Sequence, residues 1–204
     1  MGLIRRWHLL LLVVIAVLWW MGRSPSSSPH TPSALPQPSL LPASTAVLQQ
    51  DLSPVVEQPF GEYTLHLLAE FALDARVLAR ERYRLGREAE LSPWDFALGW
   101  GRMAEADIAR QFTIRQSGRW YHWRTDHLPI PQREVETSSA NMHLIPADDE
   151  VRQRLDGIST GDTVRLRGFL VEARGQDGWR WRSSLTREDT GNGACELILV
   201  TEVL

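Results

Sequence analysis

The strongest constraint on this chain is its opening, "MGLIRRWHLLLLVVIAVLWWMGR", which places an uninterrupted apolar run, Leu9 to Met21, ahead of a proline-rich tract. Arg5 and Arg6 precede the run, Trp7 stands at one end, and Trp19 and Trp20 stand at the other. Tryptophan favours the headgroup level of a bilayer, where its ring is half in hydrocarbon and its N–H meets water. A helix over residues 7–22 would span about 24 Å at ~1.5 Å per residue, short of a hydrocarbon core of ~30 Å. Snorkelling side chains or local thinning of the bilayer close that gap at modest cost. The competing readings are a cleaved signal peptide and a buried helix. "WWMGRSPSSS" offers no small-residue cleavage pattern, which favours an uncleaved single-pass signal-anchor over residues 1–22. Two arginines before the run against one after it point to a cytoplasmic N-terminus. On that reading the remainder is extracytoplasmic, held at a bacterial inner membrane with its C-terminal domain in the periplasm.

Between Gly22 and Pro59 lie eight of the chain's twelve prolines, together with many serines. Proline fixes φ and lacks an N–H, so residues 23–59 read as a partly extended spacer. The folded domain is then expected over residues 60–204, with no internal repeat. Its composition narrows the chemistry. All 22 basic residues are arginine, which excludes a P-loop lysine, a Schiff-base lysine and a Ser–Lys dyad. The single cysteine, Cys195, excludes an intrachain disulfide and a multi-cysteine zinc site. The net charge of −3 gives no bulk attraction to nucleic acid, and from Phe60 onward 19 arginines face 23 acids.

Patterning predicts an α+β domain that is mainly β. Tyr63, Leu65, Leu67, Ala69, Phe71 and Leu73 alternate as one face of a strand, although Leu65, Leu68, Ala72 and Ala75 also fit helical spacing. "SPWDFALGWG" carries a helix-start signature, with Ser92 as N-cap, Pro93 at the first helical position and Asp95 at the third. "MAEADIARQF" adds a helical turn or two. "FTIRQSGRWYHWR" reads as a hairpin turning at Ser117 and Gly118. The proline-bounded "LPIPQREVETSSANMHLIPA" reads as mostly irregular, and Asp148 as the cap of a helix through Val151 and Leu155 ending at Gly157. "TVRLRGFLVEA", "WRWRSSL" and "CELILVTEV" are strands joined by "GQDG" and "TREDTGNG". Gly168 in mid-strand suits the sharp coiling of a small closed barrel, and an OB-like barrel or meander is the expected architecture.

Four groups of residues are candidates for function. In "WRWR" the pair Trp179 and Trp181 shares one strand face and Arg180 with Arg182 the other. The functional reading is a stacking platform beside cations, as single-stranded nucleic-acid barrels use. The plainer one is a packed Trp face with solvated arginines paired to Glu172. His122, Asp126, His127 and His143 lack metal-ligand spacing, so no metal and no cofactor are expected. The loop with Arg187, Asp189 and Asn192 reads as an anion nest or as a turn that satisfies its own backbone. Cys195 shares a strand face with Leu197 and Leu199, which predicts a buried, inert thiol; a Cys195–His143 dyad is the alternative. No nucleophile elbow surrounds any serine, Ser183 included.

Taken together, "SPWDFALGWGRM", "SSANMHLIPA", "GDTVRLRGFLVE" and "RSSLTREDTGNGACEL" resemble a group of uncharacterised bacterial single-pass membrane proteins of similar length. The likeness covers most of Tyr63 to Val203. It implies an anchored protein with one domain and carries no activity, substrate or catalytic residue. The expectation is therefore a non-enzymatic, membrane-tethered binding domain for a protein partner or an anionic ligand, with Asn141, His143, Trp181, Ser183, Arg187, Asp189 and Asn192 as binding candidates. Two alternatives stand beside it: a hydrolase-like enzyme using Asn141, His143, Arg187, Asp189 and Cys195, and a nucleic-acid or nucleotide binder if the domain faces the cytoplasm.

Overall fold

The structure, a computed structural model, describes residues 35–39, 47–189 and 194–204. The expected anchor over residues 7–22 and most of the spacer lie outside these. No helix among the described residues is long and apolar enough to cross a membrane.

The domain is mainly β with a few short helices. Its strands are β1 (Val47–Phe60), β2 (Tyr63–Arg82), β3 (Trp94–Gly99), β4 (Thr113–Ser117), β5 (Trp120–Arg124), β6 (Ser139–Pro146), β7 (Thr163–Gly175), β8 (Arg180–Arg182) and β9 (Glu196–Val203). The helices are α1 (Arg87–Leu91), α2 (Ala106–Ala109), α3 (Gln132–Thr137) and α4 (Asp149–Gly157), with a 3₁₀ turn over Gly101–Ala104. In the larger sheet β2 pairs with β3, β3 with β6, β6 with β9, β9 with β7, and β7 again with β2. Five strands thus close on themselves in a ring, with β1 and β8 at the edges and β4–β5 as a separate hairpin. Among the described strands only the β6–β9 pair is parallel.

The ring encloses an apolar core that includes Phe71, Leu73, Trp94, Phe96, Met142, Leu144, Leu166, Leu170, Ile198 and Val200. The register of β2 shifts between Leu67 and Ala69, against both β1 and β7 in that stretch. The slip divides the strand's apolar residues: Ala69, Phe71 and Leu73 line the core, while Leu65 and Leu67 join a second cluster with Phe169, Val171, Leu197 and Leu199. A single face running from Tyr63 to Leu73 is therefore not what forms, because a bulge inverts the alternation partway. At Gly168 the backbone of β7 passes close to β9, where their register shifts. A Cβ there would lie 1.9 Å from the Leu199 carbonyl oxygen, so only hydrogen fits. At one end of the ring α4 begins as expected, with the Asp148 side chain accepting from the Val151 N–H at 2.8 Å and with Val151 and Leu155 in the core.

Three expectations fail here. "WDFALG" is the strand β3, buried at every position, not a helix. Pairing on both edges, with β2 and β6, outweighs the local helix-start signature. "SSANMHLIP" is not irregular: α3 leads into β6. Ordered chain also starts before Phe60. β1 occupies Val47–Phe60, and its prolines are tolerated because it is an edge strand. Further upstream, Leu35 packs on the second cluster, and Ser39 donates from N–H and hydroxyl to Glu70 Oε2 at 2.8 and 2.6 Å. Part of the supposed spacer is thus laid against the ring, within a compact unit that begins at Leu35.

Candidate functional site

The two parallel strands β6 and β9 start side by side, with Met142 opposite Glu196. Around their N-terminal ends lies a cavity of about 420 Å³, at the end of the ring remote from α4. Three structures wall it. The β4–β5 hairpin contributes Trp120, Tyr121 and Trp123; Trp100 follows β3; and the loop before β9 contributes Thr186, Arg187 and Asp189. Asn141, Cys195 and Glu196 form its floor.

The floor is unusual in its chemistry. Glu196 is 1 % exposed and alternates with Ile198 and Val200, so its carboxylate sits where the strand pattern turns inward. Oε1 lies in an ion-pair contact 2.7 Å from Arg187 Nε, and Oε2 is buried without a hydrogen-bond partner among the described residues. The same guanidinium donates to Gln49 Oε1 at 3.3 Å and to the Ser184 carbonyl at 3.4 Å, and it stands over the Phe71 ring. Asp189 accepts the Ser184 hydroxyl on Oδ2 at 2.7 Å, and its Oδ1 is likewise buried and without a partner among the described residues. Burial pushes the Glu196 carboxyl up to about 7; Arg187 pulls it down and Asp189 pushes it further up.

Cys195 is half-buried at the floor. Burial, then the nearby charges of Glu196 and Asp95, push its thiol up to about 12. The thiol is thus protonated at neutral pH and a poor nucleophile.

Behind the cavity lies a second polar cluster, centred on Asp95, which is fully buried in β3. Asp95 accepts from Arg119 Nη1 at 2.6 Å and from Asn141 Nδ2 at 3.2 Å, and its Oδ1 is 2.9 Å from His143 Nδ1. Arg119 sits at the hairpin turn with φ of 72°, a left-handed conformation that arginine rarely adopts. Its side chain accounts for that strain. The guanidinium packs 3.9 Å from the Tyr83 ring centroid and 5.4 Å from that of Trp181, as well as meeting Asp95. Asn141 then donates to the Arg119 carbonyl at 3.0 Å, pinning the hairpin on the ring.

Of the residues singled out from sequence, Asn141, Arg187, Asp189 and Cys195 meet at the cavity. His143 and Trp181 are placed together behind it, with ring centroids 4.8 Å apart. Ser183 is 4 % exposed and engaged with backbone, donating to the Ser184 carbonyl and accepting from the Leu197 N–H. Asn192 lies outside the described residues. The "WRWR" segment follows its plainer reading: Trp179 and Trp181 pack on the second cluster, while Arg180 and Arg182 pair with Glu172. Among the described residues no group of three or more His, Cys, Asp or Glu is arranged to hold a metal ion. Sequence reasoning misses Asp95, Arg119 and Glu196. Glu196 is detectable, because its period of two with Ile198 and Val200 puts a carboxylate on the inward face. Comparison with family models, with curated proteins and with solved structures found no match.

Proposed function

We propose that the chain is a membrane-tethered extracytoplasmic binding domain, and that its binding site is the cavity at the start of β6 and β9. The strand order supports an OB-type barrel. Taking β2, β3, β6, β7 and β9 as strands one to five, the pairing runs 1-2-3-5-4-1, with α4 between the third and fourth. Barrels of this kind bind ligands across strands two and three, flanked by the loops between strands one and two and between four and five. Here the four–five loop, which precedes β9, borders the cavity, and the long insertion between β3 and β6 closes its other side. One observation carries the reading: a cavity of about 420 Å³ walled by aromatic rings, whose lining holds two buried carboxylate oxygens without partners among the described residues. That combination of apolar walls and a few convergent polar groups is the usual make-up of a ligand site.

Binding is favoured over catalysis because the cysteine at the floor is held protonated and Ser183 is committed to the backbone. An anionic ligand fits less well than the loop's glycines and arginine suggest, since the lining holds Glu136, Asp189 and Glu196 against Arg187. The test is a broad small-molecule screen on the purified chain, read by tryptophan fluorescence and thermal shift. Binders that lose affinity on Trp120→Ala are expected. Robust hydrolytic turnover in the same screen overturns the reading, as does a full set of binders indifferent to Trp120→Ala and Asp189→Asn. Location is checked separately with a compartment reporter fused at Leu204, active only outside the cytoplasm.

A further inference from the structure

Resting on that cavity being the binding site, we infer that its ligand is an organic cation: an ammonium or guanidinium head seated between Glu196 and Asp189, on an apolar body that lies against Trp100, Trp120 and Trp123. Three observations converge on this class. Glu196 Oε2 and Asp189 Oδ1 are both buried, both carboxylate oxygens and both without a partner among the described residues, so they call for N–H or O–H donors. The lining carries three carboxylates against one guanidinium, so a donor with positive charge is matched better than a neutral hydroxyl. The walls carry three tryptophan rings, a residue type whose face attracts cations as well as apolar groups. Arg187 does not fill the role itself. Its Nη atoms reach away to Gln49 and to the Ser184 carbonyl, and only Nε approaches Glu196, at Oε1.

The state of Glu196 agrees. It is faced by Arg187 and Asp189 from the loop, by the adjacent Cys195, and by Tyr121 from the hairpin, and it rests at about 7. A cation beside it favours the ionised form, so binding releases a proton and weakens as the pH falls below about 7.

The experiment uses the full chain in detergent micelles at pH 8 and three probes with the same phenylalkyl body: 2-phenylethylammonium, 2-phenylethanol and 3-phenylpropionate. The expected result is that the ammonium probe binds about tenfold or more tightly than either of the others. Glu196→Gln and Asp189→Asn should each erase most of that preference, weakening the ammonium probe far more than the alcohol. The alcohol or the carboxylate binding as tightly as the ammonium overturns the inference but leaves the cavity's role as a binding site standing. A preference that survives both substitutions overturns it too, because the cation would then sit elsewhere. Failure of all three probes also overturns it, and the broad screen then decides on the binding-domain reading by itself.

Discussion

Glu172 and Glu196 are the two most buried glutamates among the described residues, each 1 % exposed, and they are in opposite electrostatic situations. Glu172 lies in a row across the sheet, opposite Arg182 on β8 and His66 on β2. Arg174, Arg180 and Arg182 approach it at 3.0, 2.5 and 2.7 Å. Burial pushes its carboxyl up, but hydrogen bonds from the three arginines outweigh that and hold it down at about 2. Glu196 has one arginine, a neighbouring carboxylate and an oxygen with no partner among the described residues, and stands at about 7. Both side chains are covered from solvent, but Glu196 lies far deeper in the protein, so depth of burial and the number of matched donors together separate them. A carboxylate fully met by arginines belongs to the architecture; one half met, and facing a cavity, belongs to a site.

The largest effect that tests this contrast is expected from Glu172→Gln. The substitution leaves three guanidiniums crowded around an amide, and it should lower stability at pH 7 by about 2 kcal/mol, less than a fully buried pair because the arginines are half exposed to solvent. The depressed pKa fixes the pH window. The stabilisation is complete above the unfolded value of 4.5 and is lost as the pH falls toward about 2. Urea denaturation of both forms from pH 2 to 7 should therefore show curves that converge at the acid end. A gap that stays constant with pH breaks the assignment.

Glu196→Gln should behave in the opposite sense and with a smaller amplitude. Here the folded value is raised above the unfolded 4.5, so the contribution is present in full below that pH and disappears as the pH rises through about 7. Glutamine imitates the protonated acid, so it should match the parent below pH 4.5 and exceed it by about 1–2 kcal/mol at pH 8, the loss of Arg187's counter-charge offsetting part of the gain. The same denaturation series decides the point. If Glu196→Gln proves less stable than Glu172→Gln at pH 8, the two carboxylates are not the different species described.

The Glu172 half of that contrast is legible in the amino-acid sequence; of the Glu196 half, only the inward-facing position of the carboxylate is. The alternation of "WRWR" pairs Glu172 with Arg180 and Arg182, because a two-residue period assigns faces directly. Gly168, the Asp148 cap and the hairpin at Gly118 are also readable, each being a local rule with a local signature. β3 is not: its six residues are all buried, so no alternation betrays a strand, and Ser92 with Pro93 imitates a helix start. Nor is β1, whose prolines look like spacer until an edge position excuses them. The cavity depends on tertiary closure. Asn141, Arg187, Asp189 and Cys195 stand out as candidates by residue type, but their meeting follows from the parallel β6–β9 pair, which a sequence pattern does not reveal. Asp95 and Arg119 are hidden for the same reason, since they are 24 residues apart and meet only when the hairpin folds onto the ring.

The smallest effect separates the two regions most cleanly, because it is read at a third residue. Cys195 is held near 12 first by burial and then by the charges of Glu196 and Asp95. Its alkylation by iodoacetamide at pH 8 should be slower than that of a free thiol by about a hundredfold or more, and Cys195→Ala should shift stability by less than about 1 kcal/mol. Removing the neighbouring charge with Glu196→Gln should speed labelling severalfold, since burial remains as the larger cause. Glu172→Gln, which alters no charge acting on the thiol, should leave the rate as it was once global unfolding is corrected for. Equal acceleration by both variants would mean that the reagent enters through a loosened fold. No acceleration by Glu196→Gln would mean that this carboxyl is already neutral beside the thiol at pH 8, and the half-matched acid would then offer a cation nothing to bind.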